Sequence, residues 1–366
     1  MKKRLILMII FILLCLSACK KTEYITHTIY LEEAFSIIPT IIIIDKKDKI
    51  ESIELQNNLS KITADLDEKY NVFKEKSLIN EVNKNAGFQE TLVDEEFIYI
   101  ISKALDVSNK TKINDKTLYD ISIFSIWKEW KFNENYYQYY NYSNPPSIDI
   151  IKQKLPLVNC NNIIVNDLEN TIILKQEGME IDLGSIVKGY AADKLASYLM
   201  DNDFKNCIID VGGNIVTIGK NIITNKNFKV GVLMPYTYQT EIGHINANTN
   251  QETFVTSGIY ERYIVSKNEQ TNEETMYHHI LNPTTGFPEN NELLSVTIIT
   301  TKSIEADALS TAIFLMGLTK GLEFINQSDN LSAIFITENK EIYLSNEVKN
   351  RFIVNEEIYS YGYRIC

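Results

Sequence analysis

Cysteine and histidine are scarce in this chain, five and four among 366 residues, and no paired-cysteine zinc motif, Walker loop or Gly-x-Ser-x-Gly elbow is present. Those absences turn the reading away from zinc, P-loop and serine-hydrolase chemistry. No cluster of Lys and Arg offsets the formal charge of −12, which disfavours nucleic acid, because phosphate backbones are bound through clustered cations. The sequence also lacks a Pro/Gly/Ser-rich linker and any internal repeat, which points to one compact domain with room for two lobes.

Long apolar runs are missing after the N-terminus. Lys2, Lys3 and Arg4 precede an apolar stretch from Leu5 to Leu16, followed by Ser17, Ala18 and Cys19. That stretch is shorter than the roughly 20 residues a spanning helix needs and reads as a secretory signal. Leu16-Ser-Ala-Cys19 resembles a bacterial lipoprotein box, which implies lipidation of Cys19, anchoring to a bacterial membrane and an extracytoplasmic location. A plain secretory signal or an N-terminal membrane helix is the alternative. The expected division is a signal at 1–18, a polar tether at 19–36 and a single domain at 37–366. Cys160, Cys207 and Cys366 then remain, an odd set that does not suit a disulfide framework.

The pattern along the chain is α+β, with mixed sheets and packed helices. The β-branched run after Ile37 predicts a buried strand starting near Thr40. Apolar spacing predicts helices over Lys49–Lys69, Phe97–Thr111, Ile186–Met200 and Ile304–Gly317. The stretch from Tyr70 to Asn83 reads as irregular, and Asn133–Pro146, with five tyrosines, four asparagines and two prolines, reads as a surface loop. Residues 162–165 and 171–174 form an expected hairpin, and strands are expected at Cys207–Val211, Phe228–Val232, Leu294–Thr300 and Ala333–Thr337.

Glycines, hydroxyls and acids concentrate in a few places. Asp182 and Gly184 precede a helix whose free N–H groups suit an anionic phosphate, with Lys188 able to add charge; simple chain geometry is the alternative. Asp210-Val-Gly-Gly213 ends a strand, as a tight turn or a close approach to ligand. Asp307 and Thr311 stand one helical turn apart, a carboxylate and a hydroxyl suited to Mg²⁺; taken alone, the pair is better read as Asp307 serving the helix dipole and Thr311 the core. His279 sits before an irregular Asn-Pro-Thr-Thr-Gly loop, so it is expected outside the core, as a proton acceptor or a solvated side chain.

Five segments carry a family resemblance: Asp182-Leu-Gly-Ser-Ile-Val-Lys-Gly-Tyr-Ala-Ala-Asp193, Asp210-Val-Gly-Gly213, Thr256-Ser-Gly-Ile-Tyr-Glu-Arg262, His279-Ile-Leu-Asn-Pro-Thr-Thr-Gly286 and Ala306-Asp-Ala-Leu-Ser-Thr-Ala312. Together, and in this order, they resemble the ApbE family of flavin transferases, which move FMN from FAD onto a protein. The resemblance implies that Asp182, Lys188, Ser257 and Gly258 contact the flavin nucleotide. It implies that Ser185, Asp307 and Thr311 hold Mg²⁺, Ser185 often through its backbone oxygen. Tyr119-Asp120-Ile121 matches a segment that contacts FAD. Phe73 stands where a stacking tyrosine is usual, and Ile280 or Leu281 lines the same pocket. His279 is then the candidate base, with Asp307 an indirect alternative. The implied partners are FAD and an acceptor flavoprotein with a Ser or Thr site, such as a subunit of a membrane redox complex.

Three departures from the family pattern bear on the pocket more than on the metal site: Ile38-Pro-Thr40 at the first strand, Asn282 for the usual Asp, and Phe124-Ser-Ile126 for the usual Gly-Pro-Leu. Two other functions fit the same motifs. One is an Mg²⁺-dependent FAD pyrophosphatase, a choice that the segment around Asn71 is expected to shape. The other is a non-catalytic FAD-binding lipoprotein, which would not need Asp307 and Thr311.

Overall fold

The computed structural model describes residues 23–50, 53–133, 143–237 and 240–366. Cys19 and most of the expected Asn133–Pro146 loop lie outside these residues. Among the described residues, no helix is long and apolar enough to cross a membrane.

The centre of the molecule is a nine-stranded sheet. Its members are β1 (Tyr24–Tyr30), β2 (Thr40–Lys46), β3 (Cys207–Val211), β4 (Asn214–Ile218), β5 (Glu252–Gly258), β6 (Leu293–Thr300), β7 (Ser332–Thr337), β8 (Glu341–Leu344) and β9 (Arg364–Ile365). They lie side by side in chain order. Neighbours are antiparallel except β8 and β9, which are parallel. Every residue of β6 and β7 is buried, so both faces of the sheet are covered there. Their sequences accordingly run apolar without clean alternation.

Four long helices build one layer: α1 (Ile53–Tyr70), α2 (Glu95–Lys110), α3 (Val187–Asp201) and α4 (Ser303–Met316). α3 packs on β3 and β4, α4 on β5 and β6, and the two helices pack on each other. α1 leans on α3, and α2 on α4. α2 begins where its sequence says it should, with the Asp94 carboxylate accepting from the N–H of Phe97 at 2.8 Å. Smaller pieces complete the fold: the predicted hairpin 163–166/171–174 with residues 91–92 beside it, a three-stranded sheet of 229–233, 241–246 and 352–354, and the hairpin 263–267/274–278. A small second core of Ile126, Trp130, Phe132, Ile151, Ile264 and Leu281 lies apart from the main one.

Two expectations are corrected. Residues 24–30 are not a tether but the edge strand β1, paired with β2 from Tyr24↔Lys46 to Tyr30↔Thr40. An edge strand needs a partner on one side only, so it can carry the polar Thr and His residues that make it look unstructured. The stretch from Tyr70 to Asn83 is irregular only in part, because Leu78–Lys84 forms a short helix. Seven residues have too little propensity to be helical alone. Tertiary bonds fix this one: Asn83 Nδ2 donates to the Ile181 carbonyl at 3.0 Å, and the Ile181 N–H donates back to Asn83 Oδ1 at 2.8 Å.

Candidate active site

Asn83 thereby holds the backbone one residue before Asp182. The next N–H, that of Asp182, donates to the Ile121 carbonyl at 3.0 Å, and the Glu180 N–H donates to Ser125 Oγ at 2.9 Å. The approach to the motif is thus an irregular segment whose hydrogen-bond partners are mostly side chains. After Asp182 the chain turns through Gly184 and Ser185 into α3, which starts at Val187, later than expected, with Ser185 in the turn before it. A Cβ on Gly184 would lie 2.8 Å from Asp182 Oδ2, so this glycine makes room for the carboxylate. Burial raises the Asp182 pKa; the Gly184 N–H and the charges of Arg262 and Lys188 oppose the rise.

Asp307 sits in the second turn of α4, a helix buried on almost every side. Its carboxyl is buried, which raises its pKa; Lys188, the Gly189 N–H and the Asn214 amide counter this. Gly189 N donates to Asp307 Oδ2 at 2.9 Å. Lys188 Nζ stands 3.7 Å from Asp307 Oδ1 and donates to the Gly184 carbonyl at 2.9 Å, tying the two halves of the site together. A buried carboxylate is costly unless something cationic or hydrogen-bonding faces it, and here such groups come from two elements, α3 and β4.

Asp193, the last residue of the same motif, has a different job. Its two carboxylate oxygens accept from the N–H groups of Ser303 and Ile304 at 3.0 and 2.9 Å. It caps α4 from another helix and so fixes the height of Asp307. Asp210 also proves structural: its Oδ1 accepts from Gly213 N at 2.8 Å within a hairpin turn where Gly212 and Gly213 take φ of 61° and 85°.

Around Asp307 stand three hydroxyls. Thr311 lies one turn on, Ser310 is buried between, and Ser257 near the end of β5 touches both, at 3.2 and 2.7 Å. Tyr119 is buried with its hydroxyl 2.9 Å from Ser185 Oγ, which brings the predicted segment 119–121 to the motif. Within it the Asp120 carboxylate is occupied by protein groups. Its Oδ1 accepts from the N–H and hydroxyl of Ser122 at 2.9 and 2.6 Å, and its Oδ2 from Cys160 N at 2.8 Å, so the carboxylate serves the loop itself. Ile121 is buried and Gly258 leaves space for the Tyr260 ring, 2.7 Å from where a Cβ would be.

His279 lies outside the core, half-buried, but burial together with the nearby charge of Arg262 pushes its pKa down to about 3. Its Nδ1 lies 3.0 Å from the Arg262 carbonyl. A carbonyl only accepts, so Nδ1 carries the proton and Nε2 keeps the lone pair. Its neighbour His278 is buried, spans Glu289 and Ile280 with its two nitrogens, and is pushed down to about 4 by burial. The side chains of Ile280 and Leu281 are core, one in each hydrophobic cluster.

Phe73 is 53% exposed and makes an edge contact with Phe124 and a tilted one with Trp127, centroids 6.2 and 6.3 Å apart. Asn71 shapes this loop: its Nδ2 donates to Asp67 Oδ1 at 2.9 Å and its Oδ1 accepts from Phe73 N at 3.0 Å. Trp127 Nε1 donates to the His279 carbonyl at 3.1 Å, and Trp130 Nε1 to the Gly286 carbonyl at 3.0 Å. Gly189, Asn214, Trp127 and Arg262 are site residues that the sequence reading did not select. Of these, Gly189 lies within the segment 182–193 and Arg262 within 256–262.

The donor set suits a hard divalent cation. Among the described residues no group of three or more His, Cys, Asp or Glu is placed to hold a metal, so a zinc-like site is not built. One carboxylate, the Thr311 hydroxyl and backbone oxygens match what Mg²⁺ takes when phosphate and water complete its shell. Asn214, whose amide faces Asp307, has a buried Oδ1 without a hydrogen-bond partner, a further oxygen left open beside this set.

Known proteins resemble this chain over most of its length. A sequence model of the ApbE family matches residues 30–335. An FAD:protein FMN transferase of Klebsiella pneumoniae is 32% identical over 277 residues, 75% of this chain and 80% of the relative. One of Buchnera aphidicola subsp. Schizaphis graminum is 30% identical over 291 residues, 78% of this chain and 80% of the relative. Among solved structures, the ApbE protein of Thermotoga maritima superposes with a TM-score of 0.74 at 25% identity, over 90% of this chain and 99% of that one. The flavin transferase ApbE of Vibrio cholerae gives a TM-score of 0.74 at 19% identity, over 89% of this chain and 100% of that one, a likeness of fold.

Proposed function

The chain belongs to the ApbE family, and from that premise we propose that it transfers the FMN half of FAD to a Ser or Thr hydroxyl of an extracytoplasmic protein, with AMP as leaving group. The observation that carries this reading is the convergence of Asp307, Lys188, Gly189, Thr311 and Asp182 on one spot from two distant stretches of chain. Oxygen donors and a cation at one point suit a pyrophosphate.

The acceptor hydroxyl oxygen forms a new bond to the FMN-side phosphorus, and the bond from that phosphorus to the bridging oxygen breaks, the electron pair leaving with AMP. Asp307, Thr311 and the backbone of Ser185 would hold Mg²⁺, with Asn214 beside them. The metal, when bound, would neutralise pyrophosphate charge. Lys188 adds a positive charge on the same side. Phe73, beside Phe124 and Trp127, offers the flavin ring an exposed aromatic face.

His279 Nε2 receives the hydrogen bond of the acceptor hydroxyl. A site this weakly basic orients the hydroxyl first and takes its proton only as the new bond to phosphorus makes that proton acidic. The N-terminal signal fits a lipid-anchored protein outside the cytoplasm, with Cys19 as the lipidated residue, so the acceptor would be met there.

The test incubates the protein with FAD, Mg²⁺ and a candidate acceptor domain, following acceptor mass and AMP together. Acceptor mass rising by one phosphoester-linked FMN, in step with AMP, is the expected result. AMP and free FMN with no acceptor gain would assign the pyrophosphatase instead, and intact bound FAD would leave a storage protein.

A further inference from the structure

We propose that Ser257 and Ser310 fix the direction of the Thr311 hydroxyl, so that it gives its proton inward and offers only lone pairs to the site. This deepens the reading of Thr311 as a cation ligand and rests on it. Four contacts determine the direction. Ser310 Oγ lies 2.8 Å from the Asp307 carbonyl, which can only accept, so the single Ser310 proton is spent there. Ser257 Oγ lies 2.7 Å from Ser310 Oγ, and with Ser310 already donating, Ser257 must donate in that contact. Ser257 Oγ is also 3.2 Å from Thr311 Oγ1. The Ser257 proton is now used, so Thr311 supplies this one.

The chain of donors therefore runs from Thr311 to Ser257 to Ser310 to the Asp307 carbonyl, and any reversal either sets two oxygens face to face with no proton between them or gives up the bond to the Asp307 carbonyl. Ser310 is fully buried and Ser257 half-buried, so little water is at hand to relax such a conflict. Thr311, half-buried on the Asp307 face of α4, can then bind a cation or accept from an N–H. It cannot donate to a phosphate oxygen. Ser257 and Ser310 are positioning residues: they act on the ligand through Thr311, which selects a metal-facing over a phosphate-facing role for that hydroxyl.

The test measures Mn²⁺ affinity of the full chain with FAD present, from the electron paramagnetic resonance signal of free Mn²⁺. Ser257→Ala frees the Thr311 proton to turn outward, and Mn²⁺ binding is expected to weaken by about three- to tenfold, the worth of one oriented hydrogen bond. Ser257→Thr, which keeps the oxygen, should restore it. Thr311→Val should weaken binding further, and adding Ser257→Ala to Thr311→Val should change nothing more, because the serine has lost the group through which it acts. Should Ser257→Ala not fold, Ser310→Ala reads the same chain from its other end and is expected to weaken binding likewise. Wild-type affinity in Ser257→Ala, or full additivity in the double variant, with Thr311→Val weakened, overturns the orienting role alone. Wild-type affinity in Thr311→Val overturns the metal reading beneath it.

Discussion

The backbone N–H of Gly189 reaches Asp307 Oδ2 at 2.9 Å because α3 and α4 touch where no side chain intervenes. A Cβ on Gly189 would lie 2.2 Å from the Ser303 carbonyl oxygen and 2.7 Å from Asp307 Cβ. Gly189→Ala must therefore push the helices apart, at about 1–3 kcal/mol for an overpacked contact. Urea unfolding should show the lower midpoint, and metal-dependent transfer should fall with it. An unchanged midpoint would mean that the contact is softer than its geometry.

Replacing Asp307 separates chemistry from folding. Asp307→Asn removes the buried negative charge on which the cation reading depends, so transfer should fall by at least about 100-fold. Thermal stability should hold or rise, because a carboxyl whose pKa burial has raised is costly to keep ionised. Chelation of Mg²⁺ should abolish wild-type transfer equally. Normal Mg²⁺-dependent turnover in the variant, measured as AMP release, would defeat the assignment.

The two histidines predict the acid side of the pH profile. His279 and His278, held down to about 3 and about 4 by burial, are neutral through the working range, so activity should show no His-like step near the ordinary 6.5. The stability effect has a definite sign. Between the ordinary value and the lowered folded values the unfolded chain binds more protons than the folded one, so stability falls as pH falls through that window. Denaturation midpoints of the wild type and of His278→Gln, taken from pH 7 to pH 4, should converge as the pH drops. A rate step near 6.5 that vanishes in His279→Gln would contradict the neutral, Arg262-bonded ring.

Trp127 holds the His279 backbone and borders Phe73 at once. Trp127→Phe keeps an aromatic face but loses the N–H, and kcat should drop about fivefold, the net value of one hydrogen bond. KM for FAD should move little. Trp127→Leu should in addition raise KM, since the aromatic wall goes with it. Equal effects from the two variants would show that the indole N–H contributes nothing.

Much of this architecture was legible in the chain. The β-branched run beginning at Thr40, the hairpin over 163–174 and the four long helices announce themselves because each has its period or its turn in local sequence. The site was legible as motifs, and Asp307, Lys188, Ser185, Tyr119 and Ser257 do converge. What local sequence could not carry was the division of labour inside those motifs. Asp193 and Asp120 stand inside the motif segments, yet their carboxylates bind backbone N–H groups, since a carboxylate's partner is decided by what the fold brings beside it. Asn83 and Asn214 sit in unremarkable polar surroundings and matter only through contacts made far along the chain, with Ile181 and Asp307. His279 lies outside the core, as its irregular loop suggests, but nothing in that loop's sequence shows that Trp127 and Trp130 bind its carbonyls or that burial lowers the histidine's pKa.

The strands of the main sheet lie beside their neighbours in chain order, but residues 47–206 intervene between β2 and β3. From β3 to β8 the sheet closes through comparatively short connections, whereas joining Lys188 and Gly189 to Asp307 requires the long excursion to settle its own helices first. Contacts of large sequence separation carry more closure entropy and form late. Competence to bind nucleotide is therefore a late acquisition of this chain: in refolding, the pairings from β3 to β8 should return before FAD protection does, and a nascent or truncated form can have those strands paired while still blind to its substrate.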